Sequence, residues 1–130
     1  MAIYTRRWND PPAAADEGLR VLITRYRPRG VSRSQQTWDV WMPNLGPSVA
    51  LHAAVYGKGG RTPIPWSAYR SAYLREMRPQ RQAIQELARR LRNGENLTLL
   101  CSSHCTDPRR CHRSLLKQLI ESAAARLEAP

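Results

Sequence analysis

Five residues able to act as nucleophile, base or metal ligand fall within twelve positions of this chain: Cys101, His104, Cys105, Cys111 and His112. Arg109 and Arg113 lie among or beside them. Such a cluster can do three kinds of chemistry. A cysteine in a field of arginines has its pKa lowered towards a reactive thiolate, which makes Cys101 and Cys111 candidate nucleophiles. His112 can then donate or accept a proton near neutral pH. The arginines can instead grip a phosphate or carboxylate bidentately, and a helix opening at Asp107-Pro108 would set Arg109 and Arg113 one turn apart on one face. The third chemistry is zinc, which needs four ligands. Against it, no paired Cys-x-x-Cys spacing is present, and Cys111 and His112 are adjacent, where both seldom bind one ion. No cofactor is expected beyond that zinc alternative. The cysteine-phosphatase arrangement is excluded, because the positions six beyond Cys101 and Cys105 are Asp107 and Cys111, not arginine.

The elements that would position these residues follow from pattern. Leu97-Thr98-Leu99-Leu100 reads as a buried strand feeding the loop from Cys101 to Thr106, and Pro108 to about Leu127 as the final helix, burying Leu116, Leu119, Ile120, Ala123 and Leu127. Leu19 to Thr24 is a second buried strand. It leads into Arg25-Tyr26-Arg27-Pro28-Arg29-Gly30-Val31-Ser32-Arg33, where proline and glycine turn the backbone and display the arginines. Ile3 to Thr5 is a short first strand, and the prolines and alanines up to Gly18 mark a loop. Trp38 and Trp41 are expected to pack beneath the arginine turn.

Ser48 caps a short helix to about Tyr56, with Val49, Leu51 and Val55 towards the core. The glycines after it are no P-loop, since they follow a helix and lack the Gly-Lys-Ser/Thr ending. His52 on that helix reads as structural. Trp66, Tyr69, Tyr73 and Met77 recur at helical spacing, a stripe that is usually core. Pro79 restarts the helix, and Ile84, Leu87, Ala88 and Leu91 form its apolar face up to Asn93-Gly94. Strands alternating with helices predict a single compact α/β domain with a largely parallel sheet flanked by helices. If the Leu19 and Leu97 strands are parallel, the arginine turn and the Cys-His-Arg segment meet at one sheet edge.

Bulk composition narrows the partners. The 130 residues suit one domain. The 21 basic against 10 acidic residues, net +11, favour a phosphate-bearing ligand or nucleic acid, although 19 of the 21 are arginine, a skew that coding bias can also produce. No apolar run approaches the roughly 20 residues of a membrane helix, and the first residues carry no apolar signal core. A cytoplasmic protein without a membrane partner is expected. Three cysteines confined to eleven positions argue for free thiols or a metal rather than a disulfide scaffold.

Several stretches together resemble the YeaO-like, domain-of-unknown-function 488 family. They are Arg20 to Gly30 with its Arg-Pro-Arg-Gly signature, Arg6-Arg7-Trp8-Asn9-Asp10-Pro11, Trp41 to Ser48, and Trp66 to Glu76. Cys111-His112-Arg113 after a leucine-rich strand is similar to the C-terminal mark of many members. The resemblance spans nearly the whole chain and implies a compact α/β domain. It also marks Arg25, Pro28, Arg29, Gly30, Cys111, His112 and Arg113 as site positions. It brings no activity with it. Tyr26-Arg27 and the additional His104 and Cys105 depart from the family pattern. The expectation is therefore a phosphate-bearing ligand, nucleotide or nucleic acid, bound by Arg25, Arg29, Gly30, Arg109 and Arg113. Thiol or acid–base catalysis by Cys101, Cys111 and His112 would accompany it. The alternative is a non-catalytic nucleic-acid-binding module, zinc-stabilised or not.

Overall fold

The computed structural model describes residues 2–11 and 16–128; residues 12–15 of the expected loop before Gly18 lie outside them. The strands are β1 (Ile3–Arg7), β2 (Leu19–Leu22), β3 (Val40–Trp41) and β4 (Leu97–Cys101). The helices are α1 (Val49–Tyr56), α2 (Trp66–Met77), α3 (Arg81–Arg92) and α4 (His112–Glu128). The fold is an α/β domain whose four strands are all parallel, in the order β1-β4-β2-β3.

The central strand explains the order. Every residue of β4, Leu-Thr-Leu-Leu-Cys, is buried, so it must be covered on both faces and paired along both edges. β1 supplies one edge, from Ile3 opposite Leu97 to Arg7 opposite Cys101. β2 supplies the other, from Leu19 opposite Leu97 to Leu22 opposite Leu100. Leu97, Leu99 and Leu100 are fully buried, each contributing roughly 1.5–3 kcal/mol of burial.

The two faces are covered differently. Ile3, Val21, Ile23, Leu97 and Leu99 face a core built with all the helices, including Leu51, Tyr73, Leu87, Leu116 and Ile120. On the opposite face, Leu22 and Leu100 pack against Trp38, with Trp8 and Val31 at the margin. Further along that face, buried Glu17 pairs with both Arg6 and Arg20. The helices thus belong to one side of the sheet, and tryptophans with a small ion-pair cluster close the other.

Helix starts follow local chemistry. Ser48 caps α1 by accepting from Leu51 N at 3.1 Å, and its own N–H donates to the Glu76 carboxylate of α2 at 2.8 Å. Pro79 sits in a tight turn that separates α2 from α3.

Four expectations need correction. Trp38 packs beneath the arginine turn, with the Arg27 guanidinium 5.2 Å from its ring, but Trp41 is part of the edge strand β3 and partly exposed. Val49 is 59 % exposed because it lies on the outward side of α1's first turn. Leu127 is exposed, as α4 runs past the end of the core. Most consequentially, α4 begins at His112, not Pro108. Asp107 caps only a single tight turn over Pro108–Arg110, and Cys111 is extended (φ −140°, ψ 142°). Arg109 and Arg113 therefore do not share a helix face. No helix among the described residues is long and apolar enough to cross a membrane.

Candidate functional site

Parallel pairing brings the carboxyl ends of β1, β2 and β4 to one edge of the sheet. Trp8 N donates to Cys101 O at 2.8 Å and Ile23 N to Leu100 O at 3.0 Å, carrying each chain one step beyond its strand. Above that edge lies a cleft of about 940 Å³, in the position where open parallel sheets place ligands. The arginine turn forms one wall and the Cys101–His112 segment the floor. Aromatic rings line the remainder: Trp8, Tyr26, Tyr56, Trp66 and Tyr69.

The cationic wall is held from behind. Arg25 Nε donates to Pro47 O at 2.7 Å. That contact depends on Gly46, since a Cβ there would stand 2.6 Å from Arg25 N and 2.9 Å from Ile23 O. Arg27 donates to Val31 O at 2.7 Å while lying over Trp38. Arg29 and Arg110 also line the cleft, and neither guanidinium has a partner among the described residues. Lys58 Nζ lies 3.3 Å from His52 Nδ1 and 5.5 Å from the Tyr26 ring centre, adding a further cation. Burial and then Lys58 hold His52 below the usual histidine pKa.

The floor is a knot of sulfur. Cys111 Sγ donates to Cys101 Sγ at 3.2 Å, and Cys101 Sγ donates to Cys105 Sγ at 3.0 Å. Ser102 Oγ also donates to Cys105, at 3.7 Å. Three sulfurs this close cannot all ionise, and the donor chain ends on Cys105. Hydrogen bonds from Cys101 and Cys111 accordingly pull Cys105 far below the usual thiol range. Hydrogen bonding to Cys105 and Cys111, together with burial, pushes Cys101 well up. For Cys111, the bond to Cys101 lowers the pKa, but Cys105 and burial outweigh it and the thiol is pushed up to about 12.

His112 is buried under this knot. Its Nε2–H donates to Ile23 O at 2.7 Å, which leaves Nδ1 facing Cys101 at 3.9 Å and Cys111 at 4.0 Å. Burial is the chief cause that holds its pKa below the ordinary value, so the ring is neutral at pH 7. Tyr73 packs on the ring at 5.4 Å, fixed by its own hydroxyl donating to Leu45 O at 2.7 Å.

The residues named from sequence separate into distinct positions. Arg25, Arg29, Cys101, Cys111 and His112 meet at the cleft, Cys101 and Cys111 as its buried underside. Gly30 adopts φ +73° in the turn and is not among the lining residues. Arg109 is 90 % exposed, points outside the cleft and pairs with Asp107. Arg113 is buried, with its Nη2–H donating to Cys105 O at 3.3 Å and its Nε unpartnered. It supports the loop from below, away from the cleft.

Sequence reasoning did not single out Cys105 as the partly exposed sulfur, nor Arg110, Lys58 and Trp8 as cleft residues. Its reading of the aromatic stripe as core holds for Tyr69, Tyr73 and Met77, while Trp66 is only partly buried, and both Trp66 and the edge of Tyr69 also line the cleft. A signal for Cys105 was available: it sits in the loop, while Cys101 ends a continuous apolar run.

Comparison with known proteins agrees with the sequence resemblance. Residues 3–124 match the family model described as the active DUF488-N3 subclade. The chain is 31 % identical over 106 residues to the uncharacterised protein YeaO of Escherichia coli (strain K12), covering 82 % of this chain and 87 % of that one. No solved structure matches.

Proposed function

The chain belongs to the DUF488 family, in its active N3 subclade, and on that premise we propose that the cleft binds a phosphate-bearing ligand of nucleotide size. One observation carries this reading. Arg29 and Arg110, whose guanidinium groups make no hydrogen bond or ion pair among the described residues, line the same space as the rings of Tyr26, Tyr56 and Trp66. Guanidinium groups bind phosphate oxygens in forked pairs, and aromatic faces stack on bases. Arg25 adds a third cation whose direction is set by Pro47. Asp107, the acidic residue among those lining the cleft, is turned to the Arg109 backbone N–H, which leaves the interior cationic.

Any thiol chemistry on this ligand falls to Cys105. Cys101 and Cys111 are buried beneath it, whereas Cys105 is partly open to the cleft, and the hydrogen bonds it receives from Cys101 and Cys111 favour its thiolate. His112 is neutral and tied to Ile23, so it positions the thiols more than it shuttles protons to solvent.

The test is calorimetric titration of the full chain with adenosine, AMP, inorganic phosphate and a short single-stranded oligonucleotide. AMP should bind more tightly than adenosine, and added salt should weaken it. Binding of the oligonucleotide alone, with no measurable AMP or phosphate affinity, would replace the pocket with an extended nucleic-acid surface. Adenosine binding as well as AMP would remove the arginine cradle.

A further inference from the structure

We propose that Cys101, Cys105, Cys111 and His112 form a tetrahedral zinc site in the floor of the cleft. The three Sγ atoms lie within 4.8 Å of one another, and His112 Nδ1 is 3.9 Å from Cys101 Sγ and 4.0 Å from Cys111 Sγ. Zinc bonds to sulfur at about 2.3 Å, which sets tetrahedral sulfurs roughly 3.8 Å apart. The three sulfurs need shifts of about 1 Å to meet that spacing, and His112 Nδ1, already beside two of them, would close on the third as the ion binds.

Two features single this cluster out from chance proximity. Neighbouring residues such as Cys111 and His112 ordinarily diverge, but here the chain breaks between them. Cys111 is extended and His112 opens α4, so both side chains turn to the same point. The second feature is the other imidazole nitrogen. His112 Nε2–H donates to the Ile23 carbonyl, the outer hydrogen bond that orients metal-binding histidines and leaves the opposite nitrogen bare. That bare Nδ1 faces two buried sulfurs rather than water.

The donor set selects the ion. Three sulfurs and one imidazole suit zinc and exclude calcium or magnesium, which take oxygen ligands. Zinc with three thiolates carries a net −1, and Arg113 beneath the loop supplies the opposite charge. The ion would join the end of β4, the loop and the start of α4, and Cys105 would become a metal thiolate beneath the arginines. This inference uses no feature of the arginine wall and stands independently of the ligand reading.

The test uses the full chain stripped with a chelator and titrated with Co²⁺. One equivalent should bind, giving the strong red-region bands and thiolate charge-transfer absorption of tetrahedral sulfur coordination, and Zn²⁺ should displace it. Zn²⁺ should also protect Cys105, the partly exposed cysteine, from iodoacetamide in the unaltered protein, a readout that needs no variant to fold. Cys105→Ser and His112→Gln should each weaken Co²⁺ binding by more than the roughly 10- to 100-fold that loss of an outer partner costs. His104→Gln, in the same loop but outside the cluster, should not. An octahedral spectrum, no protection of Cys105, or equal affinity for H112Q and unaltered protein would overturn the site. AMP titration of the same stripped protein reports on the cleft separately, so loss of one reading leaves the other measurable.

Discussion

Arg29→Gln isolates the contact on which ligand recognition depends. The guanidinium is exposed and has no partner among the described residues. The change should therefore leave folding within about 0.5 kcal/mol of the unaltered protein. What it removes is a charge-assisted pair with phosphate, worth about 1.5–3 kcal/mol. That corresponds to roughly 10- to 150-fold weaker AMP binding. Arg25→Gln should show a mixed effect: a similar loss of affinity plus about 0.5–1.5 kcal/mol of stability, because the bond to Pro47 O goes too. Arg109→Gln is the control. It removes the same charge from a side chain outside the cleft, and affinity should change less than about twofold. Calorimetry at about 0.1 M and 1 M salt, where the Debye length falls from roughly 10 to 3 Å, separates contact from diffuse attraction. The reasoning fails if R29Q binds AMP normally, or if R109Q loses as much as R29Q.

Three further outcomes follow from the supporting structure. Tyr73→Phe deletes a buried hydroxyl and leaves Leu45 O without that donor, so urea denaturation should show a loss of about 1–2 kcal/mol; an unchanged midpoint would mean that Tyr73 does not hold the His112 ring by this bond. Gly46→Ala places a Cβ 2.6 Å from Arg25 N, and the forced separation should cost about 1–3 kcal/mol and weaken AMP binding together. Retained affinity in G46A would show that the wall tolerates displacement. Asp10 accepts from Arg7 N and Nε at 2.8 and 2.9 Å. Burial raises its pKa, but these bonds and the Arg7 charge outweigh that and hold it below the ordinary aspartate value of 3.8. A depressed folded pKa contributes stability above pH 3.8 that disappears as pH falls through the folded value. Asp10→Asn should thus cost about 1 kcal/mol at pH 7 and progressively less as the pH falls below the ordinary aspartate value, as read by urea midpoints.

How much of this could be read from sequence depends on the range of the interaction. The strands Leu19–Leu22 and Leu97–Cys101 announced themselves as largely apolar, β-branched or leucine-rich runs, and their parallel pairing placed the arginine turn beside the cysteine segment. β3 was invisible because two residues carry no periodicity and Val40 and Trp41 pair only through their backbones with Val21 and Leu22. The start of α4 was misread since Asp107-Pro108 is a genuine cap, but for a turn that stops at Arg110. That error of one turn is what hid the convergence of Cys111 with His112. The division of labour among three chemically identical thiols was beyond sequence altogether, because it is set by which sulfur receives hydrogen bonds and which lies under the others.

The hydrogen bond from His112 to the Ile23 carbonyl joins the sulfur floor to the very residue from which the arginine wall departs. Thermodynamic reciprocity then applies across that single contact. Whatever factor a reversible event on the floor, such as metal uptake, imposes on affinity for an anion at the wall, the anion imposes the same factor on that event. A metal ion and a phosphate compound, if both bind, would act on this protein as mutual effectors, and either could be detected by titrating the other.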